Sequence, residues 1–340
     1  MHSVPTALAW SVIPALVLFA IVWWVDRYEK EPLRLLAVGI GLGAVAAPAT
    51  AALFEWAVGI RSSLYASDVV PRSQLTVWTP VIEEICRGLA ILAVVLLARA
   101  EIDDLLDGLV YGATVGIGFA LAAQFVSIVR TDAASGDRVP SLYTATIASA
   151  NHVFYGAVIG VAVALARRQA LDRLLAALAA GVAVAAGIHV LHDYAPWWAA
   201  ASDGGSATAT RLAQYLPNAL GLLALAVLMA WALAREKLVI ERELRDETTA
   251  GVVTVPEYDA ATNGFRRTAN LVSMLLTRGP TAAIELRRLY ALEVELAFRK
   301  HHRRTAKARG RRLLDEDVYR RRIADTRRRL TGETTAEPAV

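Results

Sequence analysis

The chain has 340 residues, of which 56% are hydrophobic, and a mean hydropathy of +0.41, which is too apolar for an ordinary soluble domain of this size. Its net charge is only +4, and its single cysteine, Cys86, excludes an intramolecular disulfide and reads as a buried small hydrophobe. About two-thirds of the Arg and Lys residues fall in the last third of the chain with no nucleic-acid motif beside them, so they suit a cytoplasmic face near anionic lipid better than DNA or RNA.

A membrane span needs about 20 predominantly apolar residues. Seven stretches meet that measure, at about 6–25, 35–59, 78–98, 108–129, 143–166, 173–195 and 212–234. The first lacks a basic start and a small-residue cleavage site, and it ends in "WWVDRYEKEP". Aromatic residues followed by charges mark a retained anchor at the membrane interface. The third holds "TPVIEEICRG", residues 79–88, with two carboxylates and an arginine inside an apolar run. The fourth opens with "DDLLDGLVYGATVGIGFA". There Gly112 and Gly116 form a G-x-x-x-G pair that lets helix backbones approach closely, and Asp103, Asp104 and Asp107 take a solvated or capping role. The fifth carries Asn151 and His152 near its middle, and the sixth ends in "GIHVLHDY".

Basic residues set the orientation. Arg27, Lys30 and Arg34, then Arg167, Arg168 and Arg173, then Arg235, Lys237, Arg242 and Arg245 all fall on one side. Arg61, Arg72, Arg130, Arg138 and Arg211 fall on the other. The bias puts the amino terminus outside and the tail inside. In the tail, Leu286, Leu289, Leu292 and Leu296 recur at helical intervals and Glu295 stands four residues before Arg299, the pattern of a helix. "RRLLDEDVYRRRIADTRRRL" reads similarly, and the last ten or so residues read as a frayed end. His301 and His302 sit among arginines, a poor setting for a metal cation. The expected architecture is an all-α polytopic membrane bundle of about seven transmembrane helices over residues 1–234. A basic helical cytoplasmic tail follows over 235–340, with room for a partner of its own.

Ionisable groups inside a bilayer are expensive, so they are functional-site candidates. Three spans carry them in polar clusters: Glu83, Glu84 and Arg87; His152 beside Asn151; His189, His192 and Asp193. Glu83 and Arg87 stand at i,i+4 and are expected to pair, with Glu84 turned about 100° away and left free. His189 and Asp193 have the same spacing, which lets the carboxylate fix the imidazole tautomer. A free carboxylate beside such a pair has the parts for activating water. Each pair alone could equally tie helices together.

"DRYEKEP", "PVIEEICRG", "DDLLDGLVYGATVGIGFA", "NHVFYGAVIG" and "IHVLHD", in that order, resemble the PrsW family of intramembrane proteases over about residues 20–235. That family is distantly similar to the CAAX-processing membrane endopeptidases and to the scaffold subunit of gamma-secretase. The resemblance places the family's EExxK motif on Glu83, Glu84 and Arg87, with Arg for Lys. It places the third-motif histidine on His152 and the HxxxN/D motif on His189 and Asp193. The GFAxxEN motif falls on residues 118–124, where the Glu position is Ala123 and the Asn position is Gln124. This chain therefore lacks one carboxylate of the pattern, and Gln124 could supply only a hydrogen-bonding group.

Two mechanisms follow. In one, Glu84 or Glu83 activates a water and His152 with His189 stabilises the oxyanion, His189 being held by Asp193. In the other, His152, His189 and His192 or Asp193 hold Zn²⁺ and a Glu is the base. The resemblance implies membrane-anchored protein substrates and a metallopeptidase class. No H-E-x-x-H or GxGD occurs in the chain, and no span offers a rhomboid-like GxSx serine. The competing reading is a catalytically degenerate membrane scaffold, for which Ala123 speaks most directly. A transporter would show an inverted repeat, and none is visible.

Overall fold

The computed structural model describes residues 4–28, 30–60, 73–99, 102, 105–135, 142–167, 169–201, 207–305 and 315–331. Arg61, Arg72, Asp103, Asp104, Arg138, Arg168 and the end of the chain after residue 331 lie outside them. Among the described residues every regular element is helical. The chain divides into two compact units: Met1–Asp26 with Glu31–Met229, and Arg27–Lys30 with Ala230–Val340.

In the first unit, α1 (Val4–Val25) is followed by α2 (Leu33–Gly41), a π-turn over Leu42–Ala46 and α3 (Ala47–Ala57). Then come α4 (Thr79–Leu97), α5 (Leu105–Ser135), α6 (Leu142–Ala166), α7 (Leu171–Ala201) and the start of α8 (Ala207–Thr249). Six helical stretches are long and apolar enough to cross a membrane among the described residues: Val4–Val25, Leu33–Ala57, Leu105–Val129, Thr146–Ala166, Leu171–Ala195 and Ala219–Thr249. The remaining expected span is α4, whose 19 residues include Glu83, Glu84 and Arg87. The protein is an all-α, multi-pass membrane bundle.

Helices α5 and α6 form its centre. Their spans are each 61% buried, against 33% for those of α1 and α7. Small residues explain the closeness. A Cβ on Gly112 would collide with the carbonyl oxygen of Gly156, one on Gly156 with that of Gly112, and one on Gly116 with that of His152. Backbones this near gain dispersion contact along the seam, which takes the place of a hydrophobic driving force in lipid. The seam also fixes the height of His152 on α6. Across α4 and α3, Ala51, Ile82 and Cys86 pack together, so Cys86 is a core residue.

The second unit contains the rest of α8, α9 (Val255–Thr262), α10 (Gly264–Thr305) and α11 (Glu316–Thr331). Helix α10 is broken at Gly279, whose φ of 84° is glycine territory, and Pro280 starts the next segment. Leu286, Leu289, Leu292 and Leu296 all turn inward, onto Tyr319 and Ile323 of α11. A second cluster joins Tyr28, Ile240, Leu244, Val294 and Phe298. Lys300, only 6% exposed, lies 2.8 Å from Glu247 and donates to the Glu243 carbonyl. The tail is thus a packed helical unit with its own core.

Candidate functional site

Helix α4 turns Glu84 and Arg87 to the bundle interior, where both are 0% exposed. Arg87 Nη1 donates to Glu84 Oε1, and Arg87 Nη2 reaches His152 Nδ1 on α6 at 3.1 Å. From α7, His189 Nδ1 reaches the same Glu84 Oε1 at 2.8 Å. His189 Nε2 faces Asp193 Oδ2 at 3.7 Å. One polar chain, Asp193–His189–Glu84–Arg87–His152, therefore crosses three helices.

This differs from the pairing expected from spacing, in which Arg87 took Glu83. Both i−3 and i−4 are within an arginine's reach. The choice falls to Glu84 because its face of α4 points at His189 and His152. Glu83 is half-buried, within electrostatic range of His189, Arg87 and Asp193, and no side-chain hydrogen bond claims its carboxylate among the described residues. So the free carboxylate is Glu83, and Glu84 is the joint.

Aromatic rings wall the chain in. The Phe119 ring lies 4.1 Å from Arg87 Cζ, a cation–π contact in a dry setting. The Tyr155 ring stacks on His189 with centroids 4.7 Å apart. Neither ring is a candidate by charge, although both lie inside motif stretches, Tyr155 three residues after His152. Ala123 stands four residues after Phe119 on α5 and so shares its face. Gln124 is buried on α5 but is not a member of the chain. His192 is half-buried, within electrostatic range of His152 and Asp193. Glu84 Oε2, Arg87 Nε and Asn151 Oδ1 are buried with no hydrogen-bond partner, so the site keeps unused polar capacity.

The chemistry of the donors decides the tautomers. A guanidinium can only donate, so His152 Nδ1 accepts and its proton sits on Nε2. A carboxylate can only accept, so His189 Nδ1 carries a proton and donates. His152 therefore offers an N–H, and His189 at most one lone pair, on the nitrogen beside Asp193. For zinc held by His152, His189 and His192, three unprotonated nitrogens would have to converge. The arrangement does not fit that ion: Arg87 takes the open nitrogen of His152. No three His, Asp, Glu or Cys side chains converge as a ligand set among the described residues.

A family model described as PrsW family intramembrane metalloprotease matches residues 31–233. No curated protein and no solved structure matches the chain.

Proposed function

The chain belongs to the PrsW family of intramembrane proteases, and from that premise we propose that it hydrolyses membrane-anchored proteins with a water activated by Glu83. The observation that carries this reading is the double hold on Glu84. Arg87 and His189 both occupy its Oε1, which commits that oxygen to holding the two side chains and leaves the neighbouring Glu83 as the available base.

In this mechanism Glu83 removes a proton from the water as its oxygen attacks the scissile carbonyl carbon. The carbonyl becomes an oxyanion, stabilised by His152 Nε2–H. Arg87 holds that tautomer in place from the other ring nitrogen. Collapse breaks the C–N bond, and protonated Glu83 gives its proton to the leaving amine. The products are a carboxylate and an amine, with Glu83 regenerated. Glu84 transfers no proton; it aligns His189 and Arg87, and Asp193 orients the far nitrogen of His189. The amino terminus is outside and the tail cytoplasmic, as the basic loops favour, with the cell membrane as the location.

A second reading, a catalytically degenerate scaffold, is favoured by one feature: Ala123 stands where the family pattern has a glutamate. Quantitative proteomics separates the two. Cells expressing the native chain, Glu83→Gln, Glu84→Gln or His189→Ala at matched levels are compared in membrane and soluble fractions. Loss of an intact membrane-anchored protein with appearance of its fragment, in native cells alone, supports the peptidase. Identical proteomes under several stresses, with every variant folded and bound to the same partner, support the scaffold.

A further inference from the structure

The polar chain has a fixed cation of its own. Arg87 is fully buried and bridges two helices with two different nitrogens, Nη1 to Glu84 and Nη2 to His152. Its plane rests against Phe119. A guanidinium keeps its charge at any working pH and accepts no hydrogen bond. It therefore cannot share a lone-pair site with a metal, and it repels one at contact distance.

Its effect on the ligands is specific. His152 loses Nδ1 to Arg87 and presents a proton on Nε2, so in this tautomer neither nitrogen can ligate. Glu84 Oε1 is committed to Arg87 and His189. Glu84 Oε2 and Glu83 stay open and His192 lies within electrostatic range of His152, yet no three His, Asp, Glu or Cys side chains converge as a ligand set among the described residues. His189 Nε2 with Asp193, 3.7 Å apart, is a pair too small for the four-coordinate sites zinc prefers. Ala123 adds no carboxylate on the Phe119 face. A lysine at residue 87 would bring one nitrogen; the planar guanidinium brings the two that span Glu84 and His152 at once.

We propose that the centre of this chain is metal-independent, the Arg87 guanidinium being the permanent positive charge between Glu84 and His152. This rests on the peptidase reading above, but it has a readout that needs no cleavage. Arg87 is here a positioning residue: it fixes the proton of His152 on Nε2 and keeps divalent ions out.

The test uses the full chain, purified in detergent with a tag that contains no histidine. The native chain, the His152→Ala/His189→Ala double variant and Arg87→Gln are each equilibrated with zinc chloride and stripped of loose metal on a chelating resin. Retained zinc is counted by plasma mass spectrometry, and affinity is read by competition with a zinc-sensitive dye. The native chain and the double variant are expected to retain equal zinc, and Arg87→Gln to bind it about tenfold more tightly than the native chain, because a like charge at contact distance has been removed. Equal zinc in both includes zinc held elsewhere on the chain, which also supports the proposal. An extra ion in the native chain, lost in the double variant, overturns it. Arg87→Gln with native affinity overturns the part assigned to the guanidinium. Equal counts in a chain that cleaves nothing would count against the peptidase reading alone.

Discussion

His189 Nδ1 stands 2.8 Å from Glu84 Oε1, so α7 and α4 are tied through the same oxygen that Arg87 grips. The two adjacent glutamates should therefore respond very differently to one change. Glu84→Gln leaves Arg87 as a buried charge without its counter-ion, a loss of about 3–5 kcal/mol. Glu83→Gln removes no hydrogen bond and should melt near the native temperature, while cleavage falls by about 10²–10⁴-fold. Thermal unfolding in detergent, paired with a cleavage assay, separates them. A Glu83→Gln protein that cleaves at the native rate would remove Glu83 from the mechanism.

Between the first two spans, Glu31 is 6% exposed. Its backbone N–H donates to Asp26 Oδ2 at 2.9 Å, and Tyr111 donates a hydrogen bond to its carboxylate. Burial first, and then the charge of Asp107, push the Glu31 carboxyl up to about 9. The folded protein thus holds a proton that the unfolded chain releases near its ordinary value of 4.5. Stability is full below that value and falls as pH rises toward about 9. Melting temperatures measured across this window should decline for the native chain and decline less for Glu31→Gln. Equal slopes would show that Glu31 is not the group responsible.

The glycine seam makes a prediction with its own control. A methyl group at Gly116 meets the His152 carbonyl, whereas one at Gly187 meets nothing within 4 Å. Gly116→Ala should force α5 and α6 apart, lowering stability by about 1–3 kcal/mol and shifting His152 away from Arg87. Gly187→Ala should be nearly neutral in both respects. If the two variants melt alike, the α5–α6 contact at Gly116 does not limit the stability of the bundle.

Spacing and hydropathy made the spans legible, and they made legible the polar residues that the fold brings together, Glu84, Arg87, His152, His189 and Asp193. Each charge in an apolar run is conspicuous because burial there is expensive. Which carboxylate Arg87 would choose was not legible. Glu83 and Glu84 both lie within one turn of it, and the choice depends on which face of α4 meets α6 and α7. Phe119 and Tyr155 were invisible for a different reason: in a membrane span, apolar residues face lipid and bundle alike, so hydropathy cannot tell a ring that walls the site from one that faces acyl chains. The family resemblance ran through the spans and left the tail without a template. There the leucine spacing pointed to a helix, but the pairing of Arg320 or Arg327 with glutamates some 70 residues earlier in the chain has no local signal.

Those distant pairs supply the last prediction. Thr254 caps α9 with Glu257 reaching back to its N–H at 2.7 Å. Arg327 of α11 donates to both oxygens of the same carboxylate, at 2.8 and 2.6 Å. Burial works against the charged form of Glu257, yet the hydrogen bonds from Arg327 and Thr254 outweigh it and hold the carboxyl below its ordinary value. A depressed value means the stabilisation is present above the unfolded carboxylate range and is lost as pH falls through the folded value. Arg327→Gln should cost about 2 kcal/mol at neutral pH, the scale of a charged hydrogen bond, and the difference from the native chain should shrink on acidification. Hydrogen exchange of the α9 and α11 amides in the full chain reads this directly. Protection in the variant should be lower at neutral pH and should converge with the native chain as Glu257 protonates. A gap that stays constant with pH would mean that Arg327 acts by packing its stem rather than through the carboxylate it holds.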